Sequence, residues 1–143
     1  MLKGISPLIP PELLKILDEM GHGDELVLGD ANFPGESMGR RCVHCDGQPI
    51  PALLDAILRL YPLDSYVKAP VALMQVTPGD KVGTPTIWNE YRAIIERHAP
   101  GIQIEEVERF AFYDRTKLAY AVVQTGEGAL YANVILKKGV IPA

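Results

Sequence analysis

Three histidines are available for proton transfer, His22, His44 and His98. His22 has the setting best suited to it. It lies in Gly21-His22-Gly23-Asp24, where glycines let the chain turn and let a ligand approach closely. Asp24 and Asp30 are carboxylates that could pair with its ring. Histidine as a residue type titrates at about 6.5, so it can give and take a proton near neutrality. The plain alternative is a surface histidine in a loop just past a helix-stopping glycine.

The last third of the chain gathers Arg109, Tyr113, Arg115, Tyr120, Tyr131 and Asn133. Phenols, amides and guanidinium groups bind sugar hydroxyls, and they also line the polar edges of ordinary cores. Cys42-Val43-His44-Cys45 invites a metal reading. A structural zinc takes four ligands, usually from two such pairs, and no second pair exists. A redox role would want a strand before the motif and a helix starting on it. Two reduced thiols in a strand or loop is the favoured reading. No P-loop, GxGxxG, GxSxG or HExxH is present, which argues against nucleotide-dependent chemistry.

These side chains need elements to hold them. Pro10-Pro11-Glu12 opens a helix, with Leu13, Leu14, Leu17 and Met20 on one face and Gly21 as its stop. Glu25 to Asp30 reads as a strand leading into the loop Asn32-Phe33-Pro34-Gly35. Pro49-Ile50-Pro51 opens a second helix that Pro62 ends. Val71 to Val76 is a nearly continuous apolar run, as in a strand covered on both faces. Thr86 to His98 is a third helix. Ile102, Ile104 and Val107 are loosely spaced for a strand, and Phe110 and Phe112 also alternate. Asp114 to Leu118 allows at most one or two helical turns. Ala119–Gln124 and Tyr131–Leu136 are further strands. The expectation is an α/β layered domain over residues 1–143, with a central, mostly buried sheet flanked by helices. Ligands on such domains favour the carboxyl ends of strands, where Asp30 falls.

The bulk composition fits this. At 143 residues, 48% hydrophobic and 22% charged, the chain has the make-up of an ordinary globular domain. A formal charge of −4 argues against nucleic acid as a partner. No apolar run reaches the roughly 18 residues of a membrane span. Met1 to Pro7 has no apolar core of a signal peptide, and with only two cysteines a reducing cytoplasm is expected.

Taken in order, several motifs resemble the fucose mutarotase and ribose pyranase (RbsD/FucU) family over almost the whole chain. They are Met20-Gly21-His22-Gly23-Asp24-Glu25 with Asp30-Ala31-Asn32-Phe33-Pro34; Asp46-Gly47; Leu63-Asp64-Ser65-Tyr66; and Arg109-Phe110-Ala111-Phe112-Tyr113-Asp114-Arg115. Thr125-Gly126-Glu127, Tyr131-Ala132-Asn133 and Leu136-Lys137-Lys138-Gly139 complete the set. The Arg109–Arg115 motif, the closing Lys-Lys-Gly and Trp88-Asn89-Glu90-Tyr91 are nearer the fucose branch than the ribose branch.

The resemblance implies an RbsD-like fold and an isomerase that interconverts the anomers of L-fucose by acid–base ring opening. A D-ribose pyranase and a non-catalytic monosaccharide-binding module are the alternatives. It implies His22 as proton donor, with Tyr113, or else Tyr131, as the second catalytic group handling the anomeric proton. Asp30, Met74, Arg109, Tyr113, Tyr131 and Asn133 would line the sugar site, Met74 as an apolar wall for the methyl group of a 6-deoxy sugar. No metal and no cofactor are implied. The family forms homo-oligomers, a decameric ring among them, with the site near subunit contacts. This chain departs from the family in having Ala132 between Tyr131 and Asn133, where glycine is usual, and Pro10 where a capping serine is usual.

Overall fold

A computed structural model describes residues 1–143. Eleven elements follow one another along the chain. They are α1 (Pro11–Glu19), β1 (Glu25–Gly29), α2 (Gly35–Met38), β2 (Cys42–Cys45), α3 (Ile50–Leu58) and β3 (Val71–Met74). After these come α4 (Ile87–His98), β4 (Ile104–Val107), α5 (Arg109–Leu118), β5 (Ala121–Thr125) and β6 (Val134–Lys137). The strands form one mixed sheet in the order β2-β5-β1-β6-β3-β4. β1 pairs parallel with β5 and antiparallel with β6, which also runs antiparallel to β3.

Strict alternation of side chains sorts the sheet into two faces. Leu26, Leu28, Ala121, Val123, Val71, Leu73, Val134 and Leu136 pack on one side with the apolar faces of α1, α3 and α4. Val27, Val122, Ala72, Met74 and Ile135 pack on the other side with Phe33 and with Phe112 of α5. The expected layered sheet flanked by helices is therefore what the chain forms, with a large core on one face and a smaller one on the other.

Three local readings are corrected. Residues 109–118 form a ten-residue helix, not the start of an alternating strand. The Glu108 carboxylate caps it, accepting from the backbone N–H of Phe110 at 2.9 Å and of Ala111 at 3.1 Å. Phe110 and Phe112 consequently point apart, the first 66% exposed and the second fully buried. The second correction is β6, which begins at Val134 rather than Tyr131. Tyr131 has φ of 56° and cannot lie in a strand. Lastly, the loop Asn32–Gly35 runs at its last residue into a short helix, Gly35–Met38.

Candidate functional site

Asp30 follows the last residue of β1 and is 7% exposed. Every polar group of its backbone is held. Its N–H donates to Asn133 Oδ1 at 2.8 Å, and its carbonyl accepts from Gln124 Nε2 at 2.6 Å. One carboxylate oxygen accepts from Asn32 N–H at 2.9 Å. Thr125 Oγ1 donates to the Gly29 carbonyl at 2.7 Å, and Ala31 N–H donates to the Glu127 carbonyl. The Thr125-Gly126-Glu127 motif thus fixes the turn that presents Asp30. Gly29 is required beneath it, because a Cβ there would lie 2.7 Å from the Phe33 ring. Burial raises the Asp30 carboxyl above its ordinary value, and the bonds from Asn32 and Asn133 offset this only in part.

Tyr131 closes the same end of the sheet in a left-handed backbone conformation that costs a bulky residue of order 1–3 kcal/mol. Neighbours hold it there. Trp88 Nε1 donates to the Tyr131 carbonyl at 2.8 Å, and the buried Tyr91 hydroxyl donates to the Ala132 carbonyl at 2.7 Å. The Tyr131 hydroxyl donates to Asp80 Oδ2 at 2.6 Å. The positive φ belongs to Tyr131 and not to its neighbour, so Ala132 needs no glycine-like freedom; it is fully buried.

Tyr113, on α5, packs against Phe33 with ring centroids 5.9 Å apart. Arg109 lies one turn earlier, its guanidinium 5.6 Å from the Tyr113 ring and its Nε 3.4 Å from the Tyr113 hydroxyl. Met74, Tyr113 and Tyr131 all pack on the small core cluster around Phe33 and Phe112. Asp30, Met74, Arg109, Tyr113, Tyr131 and Asn133 therefore assemble at the carboxyl ends of β1 and β3. A carboxylate, an amide, two phenols, a guanidinium and an apolar thioether suit a small polyhydroxylated ligand with one apolar group.

His22 is not among them. It precedes β1, and five residues of strand at about 3.3 Å each separate it from Asp30 by roughly 15 Å or more. Within one chain, this topology does not bring Asp30 and the tyrosines to His22. The pairing of His22 with Asp24 or Asp30 is corrected. Asp24 instead accepts from Gly21 N–H at 2.7 Å. The partner of His22 is Asp64, whose Oδ1 lies 3.1 Å from Nε2. Asp64 is 2% exposed, while the His22 side chain is 45% exposed. Burial alone would raise the Asp64 carboxyl, but the Tyr66 N–H and the His22 ring together hold it below its ordinary value. The ring of Tyr66 stands 5.4 Å from that of His22.

The chain weaves a frame around this end. Gly23 N–H donates to the Lys138 carbonyl, Lys138 N–H to Asp24 and Asp64 N–H to Lys137. Gly23 has φ of 87°, which turns the chain from His22 into β1. An open groove of about 550 Å³ adjoins His22, lined in part by Leu14, Leu17, Pro62 and Lys138. Asp64 was legible only as part of a motif; nothing local to the sequence pairs residue 64 with residue 22.

The remaining candidates have structural partners. Arg115 bridges Glu25 and Glu105, Tyr120 lies under Arg41 with 4.0 Å from guanidinium carbon to ring centre, and His98 Nε2 meets Asp55 Oδ1 at 2.8 Å. Both thiols are free. Burial pushes Cys45 up to about 11, and burial with the Glu36 carboxylate pushes Cys42 up to about 11, so both are thiols at neutral pH.

Comparison with known proteins adds the following. Residues 3–141 match the model of the RbsD / FucU transport protein family. A protein of Actinobacillus pleuropneumoniae serotype 5b named L-fucose mutarotase is 54% identical, covering 99% of both chains. The human protein named fucose mutarotase is 50% identical over 98% of this chain and 94% of its own. A crystal structure of the Streptococcus pneumoniae fucose mutarotase in complex with L-fucose superposes with a TM-score of 0.92 at 53% identity, covering 99% of this chain and 100% of that one.

Proposed function

The chain belongs to the RbsD/FucU family, and from that premise we propose that it is an L-fucose mutarotase, an isomerase that interconverts the α and β anomers of the sugar. The observation that carries this is end-to-end similarity above 50% identity both to a relative of that name and to a structure solved with L-fucose. The family's description includes transport, but no helix of this chain is long and apolar enough to cross a membrane.

Changing anomer requires the pyranose ring to open and close. The ring oxygen gains a proton while the anomeric hydroxyl loses one; the C1–O5 bond breaks to give the open aldehyde. The aldehyde end rotates, and the reverse transfers close the ring on the other carbonyl face and restore both groups. A general acid and a general base suffice, a contribution of ~10²–10⁴-fold.

His22 is the proposed acid. With Nε2 on Asp64, its Nδ1 has no partner within the chain and is the nitrogen left to address the ring oxygen. The buried Asp64 carboxylate holds the ring's orientation and stabilises the imidazolium, as a carboxylate does behind a working histidine. Tyr113 or Tyr131 relays the anomeric proton, its hydroxyl accepting it while passing its own proton on to water. Asp30 and Asn133 hold hydroxyls, Arg109 supplies a further donor, and Met74 meets the C6 methyl group.

Two half-sites at opposite ends of β1 can serve one sugar only if different copies of the chain contribute them. The proposed working site therefore lies between subunits, with His22 of one copy facing Asp30 of the next, as the family's homo-oligomeric habit implies. Head-to-tail contacts of this kind close into rings.

The test is anomer exchange by saturation-difference NMR on L-fucose and D-ribose. Exchange of L-fucose well above the buffer rate supports the reading. Binding without exchange would make the protein a sugar-binding module, and faster pyranose–furanose exchange of ribose would make it a pyranase.

A further inference from the structure

The Cys42–Cys45 motif takes no part in the site above, and the sheet divides it. β2 is an edge strand, and its alternation turns Val43 and Cys45 into the core while Cys42 and His44 face the other way. Cys42 and Cys45 are therefore not a pair. On the outer face α2 supplies Glu36 instead. A carboxylate oxygen of Glu36, the sulfur of Cys42 and an imidazole nitrogen of His44 all lie within 4.8 Å of one another.

That spacing is within reach of a coordination shell once the side chains adjust. Around a tetrahedral zinc, with Zn–S about 2.3 Å and Zn–N or Zn–O about 2.0 Å, neighbouring ligand atoms stand roughly 3.3–3.6 Å apart. His44 Nε2 and Glu36 Oε1 are 2.6 Å apart and would open slightly. Their side chains are 47% and 71% exposed and free to do so.

The His44 ring is held from behind. Its Nδ1 faces Asp46 Oδ1 at 3.0 Å while Nε2 faces Glu36. At 2.6 Å the Nε2–Glu36 contact is a hydrogen bond, so a cation would take the place of the proton between them as the two side chains open. An Nδ1–H donated to Asp46 leaves the Nε2 lone pair free for a metal, the usual support of a metal-bound histidine.

We propose that Glu36, Cys42 and His44 form a site for one zinc-class divalent cation, with Asp46 orienting His44 and water in the fourth position. The sulfur–nitrogen pair selects against magnesium and calcium. Although Cys42 is a thiol without metal, a bound ion stabilises the thiolate. The ion ties α2 to the sheet edge and leaves the proposed sugar chemistry unchanged.

Cobalt(II) titration of the whole protein tests this, because a thiolate bound to cobalt gives a near-ultraviolet charge-transfer band. The expected result is one equivalent of Co²⁺ with that band, displaced by Zn²⁺. Cys42→Ser removes the band. His44→Gln, Glu36→Gln and Asp46→Asn each weaken binding about tenfold or more. Cys45→Ala leaves it intact. Circular dichroism checks the fold of every variant, and Cys42→Ser alone decides if Cys45→Ala does not fold. The proposal is overturned if no saturable one-equivalent band forms, or if the band survives Cys42→Ser.

Discussion

Asp64 Oδ1 stands 3.1 Å from His22 Nε2, so the exposed imidazole that carries the proposed chemistry leans on a carboxylate almost sealed from water. The pair spans 42 residues of sequence. Its placement keeps a proton on Nε2, so the neutral ring is the Nε2–H tautomer and the proton given to the sugar is the one that Nδ1 carries in the imidazolium. Nitrogen-15 spectra of the labelled imidazole should report that tautomer. Asp64→Asn can present either end of its amide to Nε2, so the tautomer should become mixed and L-fucose exchange should fall about 10- to 100-fold. A pure Nδ1–H tautomer in the unmutated protein would remove Asp64 from this role.

The two carboxylates respond oppositely to acid. Asp64 is held below its ordinary value, so its contribution to stability is full above about pH 4 and is lost as pH falls through the lowered pKa. Asp30 is raised mainly by burial, so its charge opposes folding at neutral pH, and protonation relieves this as pH falls through the raised pKa. Asp30→Asn should therefore raise Tm at pH 7 while weakening fucose binding about 10- to 100-fold, the worth of a charge-assisted hydrogen bond. A lower Tm together with unchanged binding would contradict both statements.

Much of this was legible in local patterns. The apolar period of Leu13, Leu17 and Met20, the prolines opening α1 and α3, and the four-residue apolar block of β3 each state their element directly. α5 was hidden because Phe110 and Phe112 mimic a strand's alternation, and a glutamate cap at residue 108 is an uncommon start signal. The site was half legible for a topological reason. Asp30 at a strand's carboxyl end is a local fact. The meetings of Asp30 with Asn133, of His22 with Asp64 and of Cys42 with Glu36 depend on strand order and loop return. The motifs also divide between the two ends of the sheet: Thr125–Glu127 and Tyr131–Asn133 build the Asp30 end, while Leu63–Tyr66 and Lys137–Gly139 build the His22 end.

The left-handed Tyr131 should be sensitive to what holds it. Tyr91 is fully buried, and its hydroxyl is bonded to the Ala132 carbonyl. Tyr91→Phe leaves that carbonyl unpaired and should cost about 1–3 kcal/mol in denaturant unfolding. Fucose affinity should fall with it, as Tyr131 and Asn133 loosen. A variant as stable as the parent would show that water replaces the hydroxyl without loss.

The two phenols can be separated. Tyr113 has only Arg109 near its hydroxyl, at 3.4 Å, whereas the Tyr131 hydroxyl is committed to Asp80 at 2.6 Å. Tyr113 is accordingly the freer of the two to relay a proton. Tyr113→Phe should lower the exchange rate at saturating fucose about 10²-fold or more with little change in binding. Tyr131→Phe should act mainly on binding. The reverse pattern would exchange their roles.

The central claim is that His22 of one copy serves Asp30 of another. His22→Ala and Asp30→Asn chains should each be nearly inactive alone. Co-expressed in equal amounts, with mixed assemblies confirmed by native mass spectrometry, they should recover roughly a quarter of the parental L-fucose exchange. That is the share of random head-to-tail contacts pairing an intact His22 with an intact Asp30. No recovery from assemblies shown to be mixed would contradict the shared site.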